Sequence, residues 1–330
     1  MHFVPHSCRN RHCPLCQGAA ARRWLTKQEQ ALLPVPYFHL VFTLPHLLNP
    51  LIQQNQRVLY DLLFEAASET LLAFGQDRFG AQLGITAVLH TWSQTLLDHY
   101  HLHCIVSGGG ISADGSKWVS SSGRYLFAVR ALSEVFRGKF CSGLEQLYGD
   151  KQLEFHGKLA PLARPAAYQA LLRQAASQKW VVYSKRPFAG PRQVLAYLSR
   201  YTHRVALSPK RLVSLDPKSQ TVTFAWKDYA EGCKRKTMRL EVREFVRRFC
   251  LHLLPERFVK IRHFGFLSNR RRQLRVAQAR ALLSQATPAE STATAGEPSR
   301  VCPHCGSGRL LLVETVPRLT VLLPHAVDSS

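Results

Sequence analysis

Acidic residues are scarce in this sequence: across 330 residues, 21 Asp and Glu face 44 Lys and Arg, a formal net charge of +23. That imbalance argues against an enzyme of small neutral substrates, because such a field concentrates polyanions, either nucleic acid or acidic lipid. An apolar run long enough to cross a bilayer is also missing. The best stretch, 32–48, is broken by prolines and histidines, so lipid is the weaker partner and no membrane association is expected. The opening residues Met1-His2-Phe3-Val4-Pro5-His6 lack the basic and apolar regions of a signal peptide. The nine cysteines are therefore expected in a reducing cytoplasm, where close spacing favours metal over disulfides. There is no internal repeat. What remains is a cytoplasmic, polyanion-binding protein of one large domain or two to three smaller pieces.

The 46% hydrophobic content supplies a core, and its patterning predicts the elements. Residues 37–44 (YFHLVFTL) alternate between two prolines and read as a strand. Residues 51–79 carry apolar side chains at helical spacing. Residues 84–89 and 101–106 read as strands, the second running into Gly108-Gly109-Gly110, which leaves room for close approach of a backbone or ligand. Asp114-Gly115 is a turn signal before a hairpin strand at 117–120. Helices are predicted over 165–179 and 191–203, a further hairpin over 212–215 and 221–226, and a helical, strongly basic region over 241–280. Residues 286–299 have linker composition. Strands interleaved with helices and short hairpins predict an α+β fold, an antiparallel sheet flanked by helices.

The charge is not evenly spread. Residues 155–215 hold eleven Lys and Arg and no acid; 257–289 hold eight more, again with no acid, including Arg270-Arg271-Arg272. A solvated face would carry mixed signs, so nucleic-acid contact is the better reading. Aromatics interleave with these charges (Tyr197, Tyr201, Trp226, Tyr229, Phe264, Phe266). Some could stack on bases of single strands, and others must belong to the core.

Two pairs carry chemistry. His101 and His103 flank Leu102 on a strand, so both imidazoles share one face, an incomplete metal site. Alone, such a pair reads more simply as two satisfied histidines. Tyr197 and Tyr201 stand at i, i+4 spacing on one helix face, beside Arg200, His203 and Arg204. An aromatic packing stripe is the commoner reading of that spacing, but it does not require the surrounding cations. A phenol is a poor nucleophile at neutral pH. A metal polarising a phosphate, with cations stabilising the developing charge, would compensate and allow a covalent phosphotyrosine.

Taken in order, these motifs resemble the HUH-type rolling-circle transposases of bacterial insertion sequences. The resemblance rests on His101-Leu102-His103 with Cys104 to Gly110, on Tyr197-x3-Tyr201, and on the strand 38–44 ending in Thr43-Leu44-Pro45. It is extended by the block 7–16, by Lys227-Asp228-Tyr229 and by the block 261–267, and spans about residues 7–275. It implies an HUH endonuclease-like fold. The histidine pair would hold Mg²⁺ or Mn²⁺ against the scissile phosphate of single-stranded DNA at mobile-element ends. One tyrosine would attack, leaving a 5′-phosphotyrosine and a free 3′-OH; the second would serve strand transfer, without ATP. A third metal ligand is implied, with Gln94 chosen and His90 the other candidate. Arg200, Arg204, Arg270, Arg271 and Arg272 are the expected DNA contacts, and the protein is expected in the bacterial cytoplasm at the nucleoid.

Cys8-x4-Cys13-x2-Cys16 supplies three thiolates suited to tetrahedral Zn²⁺, with His6 and His12 nearby. The family's zinc module is implied to begin with an upstream cysteine pair, so it reads as truncated here. Cys302 and Cys305 form half of a zinc ribbon that could pair with the N-terminal thiolates or stand apart. Cys104, Cys141, Cys233 and Cys250 read as core or incidental. The expected division is 1–33 a partial zinc-binding module, 34–232 the nuclease domain, 233–285 a basic helical DNA-binding region, and 286–330 linker and tail. The competing readings are a decayed copy that binds DNA without catalysis, and a replication initiator or relaxase sharing the chemistry.

Overall fold

Three alternating segments form the centre of the molecule. β1 (Tyr37–Thr43), β2 (Ala81–Trp92) and β3 (Asp98–Ser112) pair antiparallel, with β3 in the middle. β4 (Trp118–Ser120) pairs with the end of β3. β5 (Val181–Lys185) lies outside β1 and β9 (Ile261–Gly265) outside β2, giving a six-stranded sheet of order β5-β1-β3-β2-β9 with β4 off that path. The computed structural model describes residues 8, 10, 12–121, 126–185, 206–229 and 231–286.

The period-2 alternation gives the sheet two different faces. One carries Phe38, Leu40, Phe42, Leu83, Ile85, Ala87, Leu89, Leu102, Cys104 and Val106 into the main core. Helices α3 (Gln56–Phe79) and α4 (Val129–Gly149) cover it. α3 buries Leu59, Leu62, Leu63, Ala66, Thr70 and Leu71, and α4 buries Leu132, Phe136, Phe140 and Leu144, the three-to-four spacing of a helix stripe. α5 (Pro165–Ser177) joins the same core through Tyr168 and Leu172.

The opposite face carries Tyr37, His39, Val41 and Thr43 on β1, and His101, His103 and Ile105 on β3. One end is covered by α1 (Pro14–Glu29) and α7 (Arg272–Ala286), where Tyr37, Ile105, Trp118, Phe266, Val276 and Ala279 pack with Trp24 and Leu282. At the other end sits a three-stranded sheet, β6 (Leu212–Asp216), β7 (Thr221–Asp228) and β8 (Lys234–Glu241), followed by α6 (Val242–Cys250). Its Phe224, Trp226, Met238 and Phe245 pack on Trp92 and Leu96 at the tip of the β2–β3 hairpin.

The α+β expectation holds. The helix predicted over 51–79 is two, α2 (Asn49–Gln54) and α3, separated at Asn55. The Asn55 side chain accepts from the Glu154 amide at 2.7 Å and so leaves the helical path to anchor a distant loop. The helical region expected over 241–280 is interrupted: 261–265 alternate as a strand and extend the sheet against Gly84–Val88 of β2. α1, α4, β5 and β8 were not anticipated. The helix predicted over 191–203 and the linker and tail beyond 286 lie outside the described residues. The glycine triplet does serve close approach, of backbone: a Cβ on Gly108 would sit 2.7 Å from the Pro36 carbonyl, and one on Gly110 would strike the Gln82 carbonyl.

Candidate metal centre

His101 and His103 stand two residues apart on β3, so both rings leave the same face of the central strand. Antiparallel register places His90 of β2 directly opposite His101. The ligand-capable nitrogens of His90, His101 and His103 all lie within 4.8 Å of one another, and all three residues are buried. Ring centroids are 4.5 Å apart for His90 and His103 and 4.9 Å for His101 and His103. The third histidine is thus His90, the alternative to Gln94. Gln94 lies in the turn after β2, where its amide nitrogen is 3.5 Å from the Tyr229 hydroxyl and its carbonyl accepts from Arg211.

Supporting contacts set the tautomers. His101 Nδ1–H donates to the His99 carbonyl at 2.8 Å. Its Nε2 therefore carries a lone pair, and that atom is buried with no hydrogen bond among the described residues. His103 Nδ1 lies 2.9 Å from Nε2 of His39, with the two rings stacked at 9°. If His103 Nε2 faces a cation, Nδ1 must be the donor and His39 the acceptor, the outer-shell arrangement that fixes a metal-binding imidazole. His90 stacks on Trp92 at 4.6 Å. The Thr43 hydroxyl, opposite His101 in the β1–β3 register, is likewise buried without a hydrogen-bond partner among the described residues.

Burial is the main electrostatic influence. It pushes His101 well below the ordinary imidazole value, helped by the neighbouring His103 and His99. His39 is lowered to about 3 by burial, then by Lys185 and His101; His99 falls to about 4 through burial and His46. Neutral imidazoles at physiological pH are the form that ligates a cation. Three on one face can hold a divalent ion while leaving its remaining positions open.

The other predicted residues fall as follows. Tyr197, Tyr201, Arg200, Arg204, Cys302 and Cys305 lie outside the described residues. Arg270 and Arg271 are exposed, whereas Arg272 turns inward, bonding Gln28 on α1 and approaching His263 on β9 at 3.3 Å. Arg272 is thus engaged in joining α7 to the sheet. Cys8 is exposed, Cys13 directly precedes α1, and Cys16 lies in its first turn. His12 Nε2 accepts the Leu254 amide at 3.1 Å, tying this segment to the loop before β9. Sequence reasoning missed His39, Thr43 and Trp92. The alternation of 37–43 carried a signal for the first two, since Tyr37, His39, Val41 and Thr43 share one parity.

The histidine face, the basic surface and the cysteine-bearing N-terminus define a protein class, and comparison with known proteins agrees. Residues 84–274 match the family model described as "Putative transposase" (Y2_Tnp). Residues 1–44 match the "Transposase zinc-binding domain" model (Zn_Tnp_IS91). The chain is 43% identical over 329 residues to "Putative transposase y4qJ" of Sinorhizobium fredii, covering 96% of this chain and 82% of that protein. It is 30% identical over 283 residues to the transposase for insertion sequence element IS801 of Pseudomonas savastanoi pv. phaseolicola, covering 82% of this chain and 65% of that one. The chain belongs to this transposase family. Among solved structures, the conjugative relaxase TrwC in complex with oriT DNA aligns over 50% of this chain and 68% of its own, at 15% identity and a TM-score of 0.28. No described helix is long and apolar enough to cross a membrane.

Proposed function

We propose that this transposase cuts and transfers single DNA strands by tyrosine attack at a histidine-held divalent cation. The observation that carries the reading is where the chain enters and leaves 186–205, the segment containing Tyr197 and Tyr201. It enters from Lys185, which pairs with His39 in the β1–β5 register. It leaves at Ala206 and Leu207, which pack with Trp92, the residue stacked on His90. The described residues on either side of the tyrosine segment, Lys185 and Ala206, thus border the residues that pack around the histidine cluster.

The residues fit a cation. His101 Nε2 and the Thr43 hydroxyl are buried polar atoms without hydrogen bonds among the described residues, which a dry interior would not leave unsatisfied without cause. His90, His101 and His103 would hold the ion. An all-imidazole set suits Mn²⁺ better than the oxygen-seeking Mg²⁺. When bound, the ion supplies Lewis-acid polarisation of the scissile phosphate.

The chain's own groups do the rest. The hydroxyl of Tyr197 or Tyr201 loses its proton and attacks phosphorus. The bond to the 3′ oxygen breaks, that oxygen takes a proton, and a 5′-phosphotyrosine remains. The second tyrosine serves the transfer step, in which a phosphodiester is exchanged and its energy conserved. Arg200 and Arg204 neutralise charge on the phosphate, and the thiolates of Cys8, Cys13 and Cys16 would supply ligands for Zn²⁺ in the segment that matches the zinc-binding domain.

The test is a denaturing gel of protein incubated with Mn²⁺ and single-stranded oligonucleotides from the element ends. Wild type is expected to form a denaturant-resistant protein–DNA adduct. The Tyr197→Phe/Tyr201→Phe double variant is expected to form none; an adduct in that variant ends the proposal.

A further inference from the structure

Beyond Phe224, the last residue of β7 paired with β6, β7 and β8 run on as a two-stranded ribbon whose register sets like charges against each other. Lys227 lies directly opposite Arg235, and both are exposed. Like charges in this position destabilise a sheet. The nearby acids do not relieve them: Asp228 and Glu231 pair with Lys236, and Glu231 also with Lys234. No ion pair is formed by Lys227 or Arg235 among the described residues. Alternation puts Thr221, Thr223, Ala225 and Lys227 on the same side of β7, facing Glu241, Arg239, Thr237 and Arg235 of β8 in that order. Arg239, held by the Thr221 and Ser219 hydroxyls at 3.0 and 2.9 Å, pairs with the Asp216 carboxylate at 3.9 Å, so the uncompensated charge of this face lies at Lys227 and Arg235.

The ribbon's aromatic and large apolar groups point the other way. Phe224 and Trp226 turn into the small core with Trp92 and Leu96, so around Lys227 and Arg235 the outward face of β7–β8 has cations, the Thr237 hydroxyl and no ring, with the one acid of that face, Glu241, at the far end. A platform for single strands stacks bases on aromatic side chains. A ribbon with cations and hydroxyls alone suits the phosphates of a duplex, whose major groove admits a two-stranded ribbon. Through Trp92 this ribbon is packed onto the hairpin that carries His90 and His101. We infer that the outward face of β7–β8 is a duplex-DNA contact surface, with Lys227 and Arg235 gripping phosphates beside the strand being cut. The inference rests on the DNA reading above and extends it to base-paired DNA.

The probes are a linear 20-base-pair duplex and an unstructured 20-nucleotide single strand of mixed sequence, bound to the full chain and followed by fluorescence anisotropy across a salt series. Each phosphate contact on a duplex contributes about 0.9 to the slope of log affinity against log salt. The Lys227→Ser/Arg235→Ser double variant is expected to lose about 1.8 from that slope on the duplex. Wild-type affinity should then fall about twelvefold more than the variant's between 50 and 200 mM salt. Binding to the single strand and adduct formation on it are expected to be unchanged. Lys227→Glu, which creates a cross-strand ion pair with Arg235, is expected to melt no lower than wild type yet to bind duplex more weakly. An unchanged duplex slope overturns the assignment, as does an equal loss on both probes. Because binding is read without cleavage, absence of an adduct bears on the catalytic proposal and leaves this measurement intact.

Discussion

His39 offers a test of whether the buried histidines form a metal site or only a packed polar cluster. Its Nε2 lies 2.9 Å from His103 Nδ1, and its ring stacks on the same imidazole. In His39→Leu, the side chain fills similar space but offers no acceptor. His103 must then either leave its Nδ1–H unsatisfied in a buried position, at about 1–3 kcal/mol, or move the proton to Nε2, the atom facing His90 and His101. Either course weakens a cation ligand. Loss of an outer-shell partner of this kind lowers metal affinity about 10- to 100-fold, or about 1.4–2.7 kcal/mol. His39→Gln restores an acceptor near the Nε2 position and should recover much of the loss. Mn²⁺ affinity is read by isothermal titration calorimetry, with the free-ion electron paramagnetic resonance signal as an independent count. His90→Ala, which removes a donor outright, should bind more weakly than either variant. Equal Mn²⁺ affinity in wild type and His39→Leu would refute the reasoning, and so would a Gln variant no better than Leu.

The remaining predictions concern stability. Burial lowers the pKa of His252, whose Nε2–H donates to the Leu96 carbonyl, as it does those of His99 and His39. Each depressed imidazole takes up its proton later in the folded than in the unfolded state. The stability it lends is thus full above about pH 6.5 and lost as pH falls toward the folded value. The metal-free protein should accordingly melt at progressively lower temperature from pH 6.5 to 4, with a shallower slope in His252→Gln; a flat profile contradicts this. Gly265 has φ +63°, and a Cβ there would strike the Leu83 carbonyl across the β2–β9 pair. Gly265→Ala should therefore cost more than about 2 kcal/mol in chemical denaturation. Arg272→Ala should lower the melting temperature and leave the salt slope of DNA binding unchanged, whereas Arg270→Ala/Arg271→Ala should do the reverse.

Much of the fold was legible because its central strands alternate strongly and are bounded by Pro, Gly and turn residues. Residues 37–43 and 101–106 could hardly be anything else. Elements whose apolar stripe is diluted by charge were harder. α4 spreads Leu132, Phe136, Phe140 and Leu144 among Arg, Glu and Lys, and β8 (KRKTMRLE) shows its period only in Met238 and Leu240. β9 was hidden inside a basic stretch because Ile261, His263 and Gly265 gain their meaning from pairing with β2.

The site was legible in one strand and illegible between strands. Two histidines flanking a leucine announce a shared face, but which residue of β2 meets them depends on register. The β2–β3 pairing shifts twice, between Leu83 and Ile85 and between His90 and Trp92. A one-residue slip would turn His90 to the opposite face, and neither irregularity can be read from composition. Structure likewise divides the charge that first marked the chain. Arg211 binds the carbonyls of Gln94, Ala206 and Ala225, and Arg248 that of Thr95, so two guanidinium groups clamp the hairpin tip beside the histidines. Their rigid multi-donor planes can hold several carbonyls at once, which a lysine ammonium on a flexible stem does less well. Part of the excess thus positions the histidine-bearing hairpin from within, and among the described residues the groups left to meet a polyanion are those with no internal carbonyl or carboxylate, Lys227, Arg235, Arg270 and Arg271 among them.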